Sequence, residues 1–120
     1  MHIMVVDDNI DTATTTAMLL EMYGHTVSVE HSAESALASA RALAPNALLL
    51  DIGLPGMDGF ELARKIRASP ATANALLVAM TGYSRSQDRK KSQEAGFNYH
   101  LEKPVDIDNL LALLDCPVKL

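Results

Sequence analysis

At 120 residues, 48% apolar and 21% charged, the chain is long enough to bury a core without disulfide or metal staples and too apolar to stay disordered. No apolar run approaches the roughly 18 residues of a membrane span, and no basic-then-apolar stretch at the N-terminus marks a leader. The net charge of −5 argues against a nucleic-acid surface, and the single cysteine, Cys116, fits a reducing cytoplasm.

Taken in chain order, the pattern predicts five strand–helix pairs. A strand over 3–6 is followed by a helix over 11–23 that Gly24 stops. A strand over 26–29 leads to a helix over 33–43, with Ser32 as N-cap and Ala36, Leu37, Ala40 and Leu43 as its apolar face. The third strand, 47–50, precedes a helix over 59–68 that turns Leu62, Ala63 and Ile66 inward. Pro55, Gly56 and Gly59 set a tight path between the two. The fourth strand, 76–80, precedes a nearly all-polar helix over 86–94, and the fifth, 99–101, a helix over 107–114. Residues 115–120 read as a tail.

Runs such as "ALLL" and "LLVAM" do not alternate with polar residues, which is the pattern of strands covered on both faces. The expectation is one domain over 1–120: a doubly wound, five-stranded parallel α/β sheet in the flavodoxin-like order 2-1-3-4-5. The fourth helix lacks an apolar stripe and should be among the less stable elements. Its Arg85, Arg89, Lys90 and Lys91 are either a solvated face or a docking surface.

In such a sheet the carboxyl ends of the strands share one edge. Asp7 and Asp8 follow the first strand, Asp51 ends the third, Thr81 ends the fourth, and Lys103-Pro104 follows the fifth. Three carboxylates crowded together repel one another, and one takes up a proton unless a cation compensates. Lys103 supplies a single positive charge. A hard divalent ion with oxygen ligands, Mg²⁺, answers the deficit. A carboxylate beside it can attack phosphorus and give an aspartyl phosphate, with Lys103 and the Thr81 hydroxyl as donors to the transferred group.

The segments "VVDDN" (5–9), "LLLDIGLPGMDGFEL" (48–62), "MTGY" (80–83) and "AGFNYHLEKPV" (95–105) resemble the receiver domains of bacterial two-component response regulators. The intervals of 30 residues from Asp51 to Thr81 and 22 from Thr81 to Lys103 are similar as well. The resemblance implies that Asp51 is the phosphoacceptor. It implies Mg²⁺ (or Mn²⁺ in its place) held by Asp8, Asp51 and the Gly53 carbonyl, with Asp7 acting through water. Thr81 and Lys103 would contact phosphoryl oxygens, and the bond before Pro104 would be cis. The implied partners are a histidine kinase or histidine phosphotransfer protein and a downstream protein, with no nucleic acid or membrane contact by this domain.

Where the family often has Tyr or Phe as a rotating switch alongside the threonine, this chain has His100, in a "GFxxHLxKP" ending similar to the receivers of hybrid histidine kinases. The resemblance also places Gly53 and Tyr83 at positions expected to tune dephosphorylation. Thr12, Thr14, Thr15 and Thr16 on the first helix are expected to be exposed, near where the family meets phosphotransfer domains. The chain would not be a turnover enzyme. It leaves no room for an output domain, so the expectation is either a stand-alone regulator or a receiver cut from a larger protein such as a hybrid kinase, with the His100 variant and the start at the first strand tilting toward the latter. The alternative, a pseudo-receiver that binds partners without being phosphorylated, is disfavoured by the complete Asp7, Asp8, Asp51, Thr81 and Lys103 set. A phosphoaspartate hydrolase needs a D-x-D motif that "DDNID" does not offer, and a nucleotide-binding domain needs a Gly-rich loop after the first strand.

Overall fold

A computed structural model describes residues 1–53, 59–81, 86–103 and 105–115, with 86–89 and 115 as backbone. Over these residues the predicted alternation is present: β1 (His2–Val6), α1 (Ile10–Met22), β2 (Thr26–Glu30), α2 (Ala33–Leu43), β3 (Ala47–Asp51), α3 (Gly59–Ala68), β4 (Leu76–Thr81), α4 (Ser86–Ala95), β5 (Tyr99–Glu102) and α5 (Ile107–Asp115). The strands are parallel in the order β2-β1-β3-β4-β5. Pro55, Gly56, Tyr83, Arg85, Pro104 and the tail 116–120 lie outside the described residues.

Alternate residues of a strand point to opposite faces, so the central strands feed two separate cores. Met4, Val6, Leu48, Leu50, Leu77 and Ala79 meet α2, α3 and the end of α4. Ile3, Val5, Leu49, Val78 and Met80 meet α1 and α5. β1, β3 and β4 are therefore buried almost throughout, which explains their unbroken apolar runs. The edge strands β2 and β5 are half-buried.

Every strand except β1 runs one residue further than its apolar run, to Glu30, Asp51, Thr81 and Glu102. Ladder pairing uses the backbone and is indifferent to the side chain, so polar terminal residues join it. This matters for Asp51 and Thr81, whose backbones are fixed by the register Asp51↔Met80 and Thr81↔Glu102. Helix ends follow their caps. Asn9 accepts from the Thr12 N–H at 3.1 Å and starts α1 one residue earlier than expected. Ser32 caps α2 through the Ser35 N–H at 3.2 Å, and Asp106 caps α5 through Asp108 at 2.8 Å. Gly24, at φ +89, closes α1 by donating to the Glu21 carbonyl at 3.0 Å. On α2 the buried face is Ala33, Ala36 and Ala40; Leu43, expected inward, is exposed in the last turn, before the chain turns at Ala44.

Ala44 ends α2 in the left-handed region at φ 46, the one described non-glycine residue with positive φ. An L side chain there costs roughly 1–2 kcal/mol, and glycine gives back part of the gain as unfolded-state freedom. Ala44→Gly is expected to stabilise the protein by about 0.5–1 kcal/mol, read as a higher midpoint in urea denaturation with unchanged slope.

Candidate functional site

The strand order reverses direction between β1 and β3, and in sheets of this kind the crevice beyond the carboxyl ends at that point is where ligands bind. Asp7 and Asp51 occupy that crevice. Asp7 is fully buried; its N–H continues the ladder by donating to the Glu30 carbonyl at 3.1 Å, and its Oδ1 accepts from the Asn9 N–H at 2.9 Å. Asp51, 9% exposed, ends β3 and accepts from the Gly53 N–H on Oδ1 at 2.9 Å. Asp8 is exposed at the rim. One oxygen from each of the three carboxylates lies within 4.8 Å of the others.

Lys103 closes the cluster from the far side of the sheet. Its Nζ donates to Asp7 Oδ2 at 2.8 Å and to Asp51 Oδ2 at 3.1 Å. Its backbone N–H donates to the Thr81 carbonyl at 2.7 Å, which ties the residue to the end of β4. Burial alone lowers the pKa of the ammonium, but the hydrogen bonds to Asp7 and Asp51 and their negative charges outweigh it, so Lys103 is held above the usual lysine range. It is a fixed cation at neutral pH. Thr81 is buried at the same edge.

The family model of the response regulator receiver domain matches residues 3–115. The chain belongs to the response regulator receiver family. It is 39% identical over 114 residues to an uncharacterized 14.6 kDa protein of Leptolyngbya boryana, covering 95% of this chain and 87% of that one. Two further curated relatives are longer, and the chain spans 46% and 48% of their lengths. Among solved structures it is similar to the receiver domain of sensor histidine kinase PA1611 from Pseudomonas aeruginosa, with 30% identity, 95% and 93% of the two chains covered and a TM-score of 0.87. That structure holds a magnesium ion in its active site cleft. The fold is also that of the chemotaxis protein CheY4 of Vibrio cholerae, at a TM-score of 0.92 and 22% identity over 98% of both chains.

The receiver structure brings together Asp7, Asp8, Asp51, Gly53, Thr81 and Lys103, all at the sheet edge that the sequence predicted. His100 lies on β5 opposite Ala79, half-buried, with Nδ1 and the Ser92 Oγ of α4 at 3.0 Å. Tyr83 and Pro104 fall outside the described residues. The α1 threonines divide: Thr14 and Thr15 are exposed, whereas Thr12 and Thr16 are half-buried. Thr16 Oγ1 donates to the Thr12 carbonyl at 2.9 Å, and both, together with the exposed Thr15, line a cleft of about 550 Å³ that reaches Met80, Lys103 and Val105. Spacing of i and i+4 places those two on the flank of α1 that faces the β5–α5 connection.

Two residues that hold the site escaped the sequence reading. Asn9 both caps α1 and steadies Asp7 through its N–H, and an Asn directly before an apolar helical pattern is a readable cap signal. His31, on the β2–α2 connection, is 3.0 Å through Nδ1 from the Asp7 carbonyl, a contact between residues 24 apart that has no local signature.

The donor set fits Mg²⁺. All three acids offer hard oxygens, and Asp8 at the exposed rim leaves room for the waters that Mg²⁺ retains. One lysine against three carboxylates leaves excess negative charge. Magnesium chloride is therefore expected to raise the thermal midpoint of the wild type, by about 1.4 kcal/mol of stability when the ion is at ten times its dissociation constant. Asp8→Asn should melt above the wild type without metal, because one repelling charge is gone, and should gain less from Mg²⁺. A wild-type midpoint indifferent to Mg²⁺ would contradict the fit.

Proposed function

We propose that Asp51 accepts a phosphoryl group from a phosphohistidine, carried by a histidine kinase or a histidine phosphotransfer protein, and that the modification changes the surface around α4 for a downstream protein. The observation that carries this reading is the state of the Asp51 carboxylate. It is held from two sides, by the Gly53 N–H on Oδ1 and the Lys103 ammonium on Oδ2, at the mouth of an acidic crevice.

A carboxylate oxygen of Asp51 forms the new O–P bond as the P–N bond to the donor imidazole breaks, and the imidazole leaves with the electron pair and takes up a proton. Bound Mg²⁺, held by Asp8, Asp51 and the Gly53 carbonyl with Asp7 acting through water, would offset the charge of the carboxylates and of the incoming group. Lys103 keeps the acceptor oriented beforehand and then serves the phosphoryl oxygens. The Thr81 hydroxyl is the second donor, and its engagement with the phosphoryl group is the first step of the switch. His100 is the second step, because its ring is already linked to Ser92 of α4. Gly53 and Tyr83 set how long the phosphate lasts. On this reading residues 1–120 form one receiver domain, placed in the cytoplasm, that catalyses its own modification and hydrolysis and is not a turnover enzyme.

Incubation with a small phosphodonor and Mg²⁺, followed by intact-mass measurement, tests the reading. The wild type is expected to gain the mass of one phosphoryl group, and neither Asp51→Asn nor wild type in excess chelator should gain it. An equal gain in Asp51→Asn would remove Asp51 from its role.

A further inference from the structure

The charge of this chain is divided between two regions. Residues 59–95 hold seven of the ten Lys and Arg residues and three of the fifteen Asp and Glu, a net +4, while the rest of the chain is left at −9. Arg67, one of the seven, is spent internally. Its guanidinium donates to Ala73 O, Ala75 O, Asn98 Oδ1 and twice to Gly96 O, at 2.6–3.0 Å. Arg64 and Lys65 on α3 and Lys90 and Lys91 on α4 are different: all four are exposed, and none makes an ion pair with a described residue.

Arg64 and Lys91 face a common cleft of about 260 Å³ between α3 and α4, with Phe60 and Glu94 as its other walls. Phe60 is half-buried and packs edge-on against Phe97, with ring centroids 6.4 Å apart, so an aromatic surface lines the same cleft as two cations. The C-terminal end of the cleft is pinned. Arg67 ties α3 to Gly96, the residue directly after α4, and Gly96 sits at φ +106 where a Cβ would lie 2.8 Å from Arg67 Cγ. A wall pinned at that end forfeits less ordering entropy when something enters the cleft.

We propose that the α3–α4 seam is a docking site for an acidic segment of a partner protein, with an apolar side chain against Phe60 and carboxylates on Arg64 and Lys91. The proposal rests on the function proposed above only in taking α4 as part of the output surface. Charge complementarity selects the partner: four exposed cations on a chain of net −5 attract a short acidic segment, whereas a long polyanion such as nucleic acid also meets the −9 remainder. The cleft accepts about one side chain, and Glu94 on its wall leaves Arg64 and Lys91 as the two positions for the segment's carboxylates.

Fluorescence anisotropy with a labelled twelve-residue-scale Glu/Asp peptide carrying one central Leu tests this on the full chain. The expected result is salt-sensitive binding that weakens about tenfold or more in Arg64→Glu/Lys91→Glu, with an unchanged circular dichroism melt. If charge reversal perturbs folding, Arg64→Gln/Lys91→Gln should weaken binding in the same direction. Equal binding by the variants, equal binding of the all-Gln peptide, tighter binding of a DNA oligonucleotide, or self-association that the same variants abolish would each overturn it. An affinity indifferent to phosphorylation of Asp51 sustains the seam and counts only against the switching reading.

Discussion

One ammonium group organises this molecule. Lys103 Nζ is shared between Asp7 and Asp51, residues 96 and 52 positions away in sequence. Asp7 is fully buried, and a buried carboxylate without a partner is strongly unfavourable. The contact therefore requires the carboxyl ends of β1, β3 and β5 to arrive at one edge together, and the parallel register across β4 is what brings them there. The same arrangement leaves the crevice short of positive charge, so the structural requirement of the fold and the chemical requirement of the site coincide.

From that edge the described residues reach toward α4 along β5. Lys103 is tied by its backbone to Thr81, β5 is short and half-buried, and His100 links β5 to α4 through Ser92. The buried described side chains of α4 are small, Ser92 and Ala95, and both belong to its C-terminal half. The Arg67–Gly96 contacts lie just beyond that end. Among the described residues, then, the C-terminal half of α4 is held by small side chains and by these polar contacts at its end.

Much of this was legible from residue order because a parallel α/β sheet turns strand ends into a map of the site. Asp7, Asp51, Thr81 and Lys103 each stand at or just past an apolar run, and the bounds of α2 and α3 follow from a Ser cap and from spacing. What was not legible depends on distance. The His31–Asp7 contact, the five Arg67 hydrogen bonds and the division of Lys103 between two acids join residues from 6 to 96 positions apart, and no local pattern announces them. The exposed Leu43 shows the reverse failure: helical spacing alone placed it inward, while the last turn of α2 leaves it in solvent.

The central claim is that this charge arrangement makes Asp51, and not its acidic neighbours, the acceptor. Borohydride reduction of the phosphorylated protein converts an acyl phosphate to the alcohol, so peptide mapping identifies the modified aspartate as homoserine. The account predicts homoserine at position 51 alone. Homoserine at position 7 or 8, or at no aspartate while the phosphoryl mass is present, would contradict it.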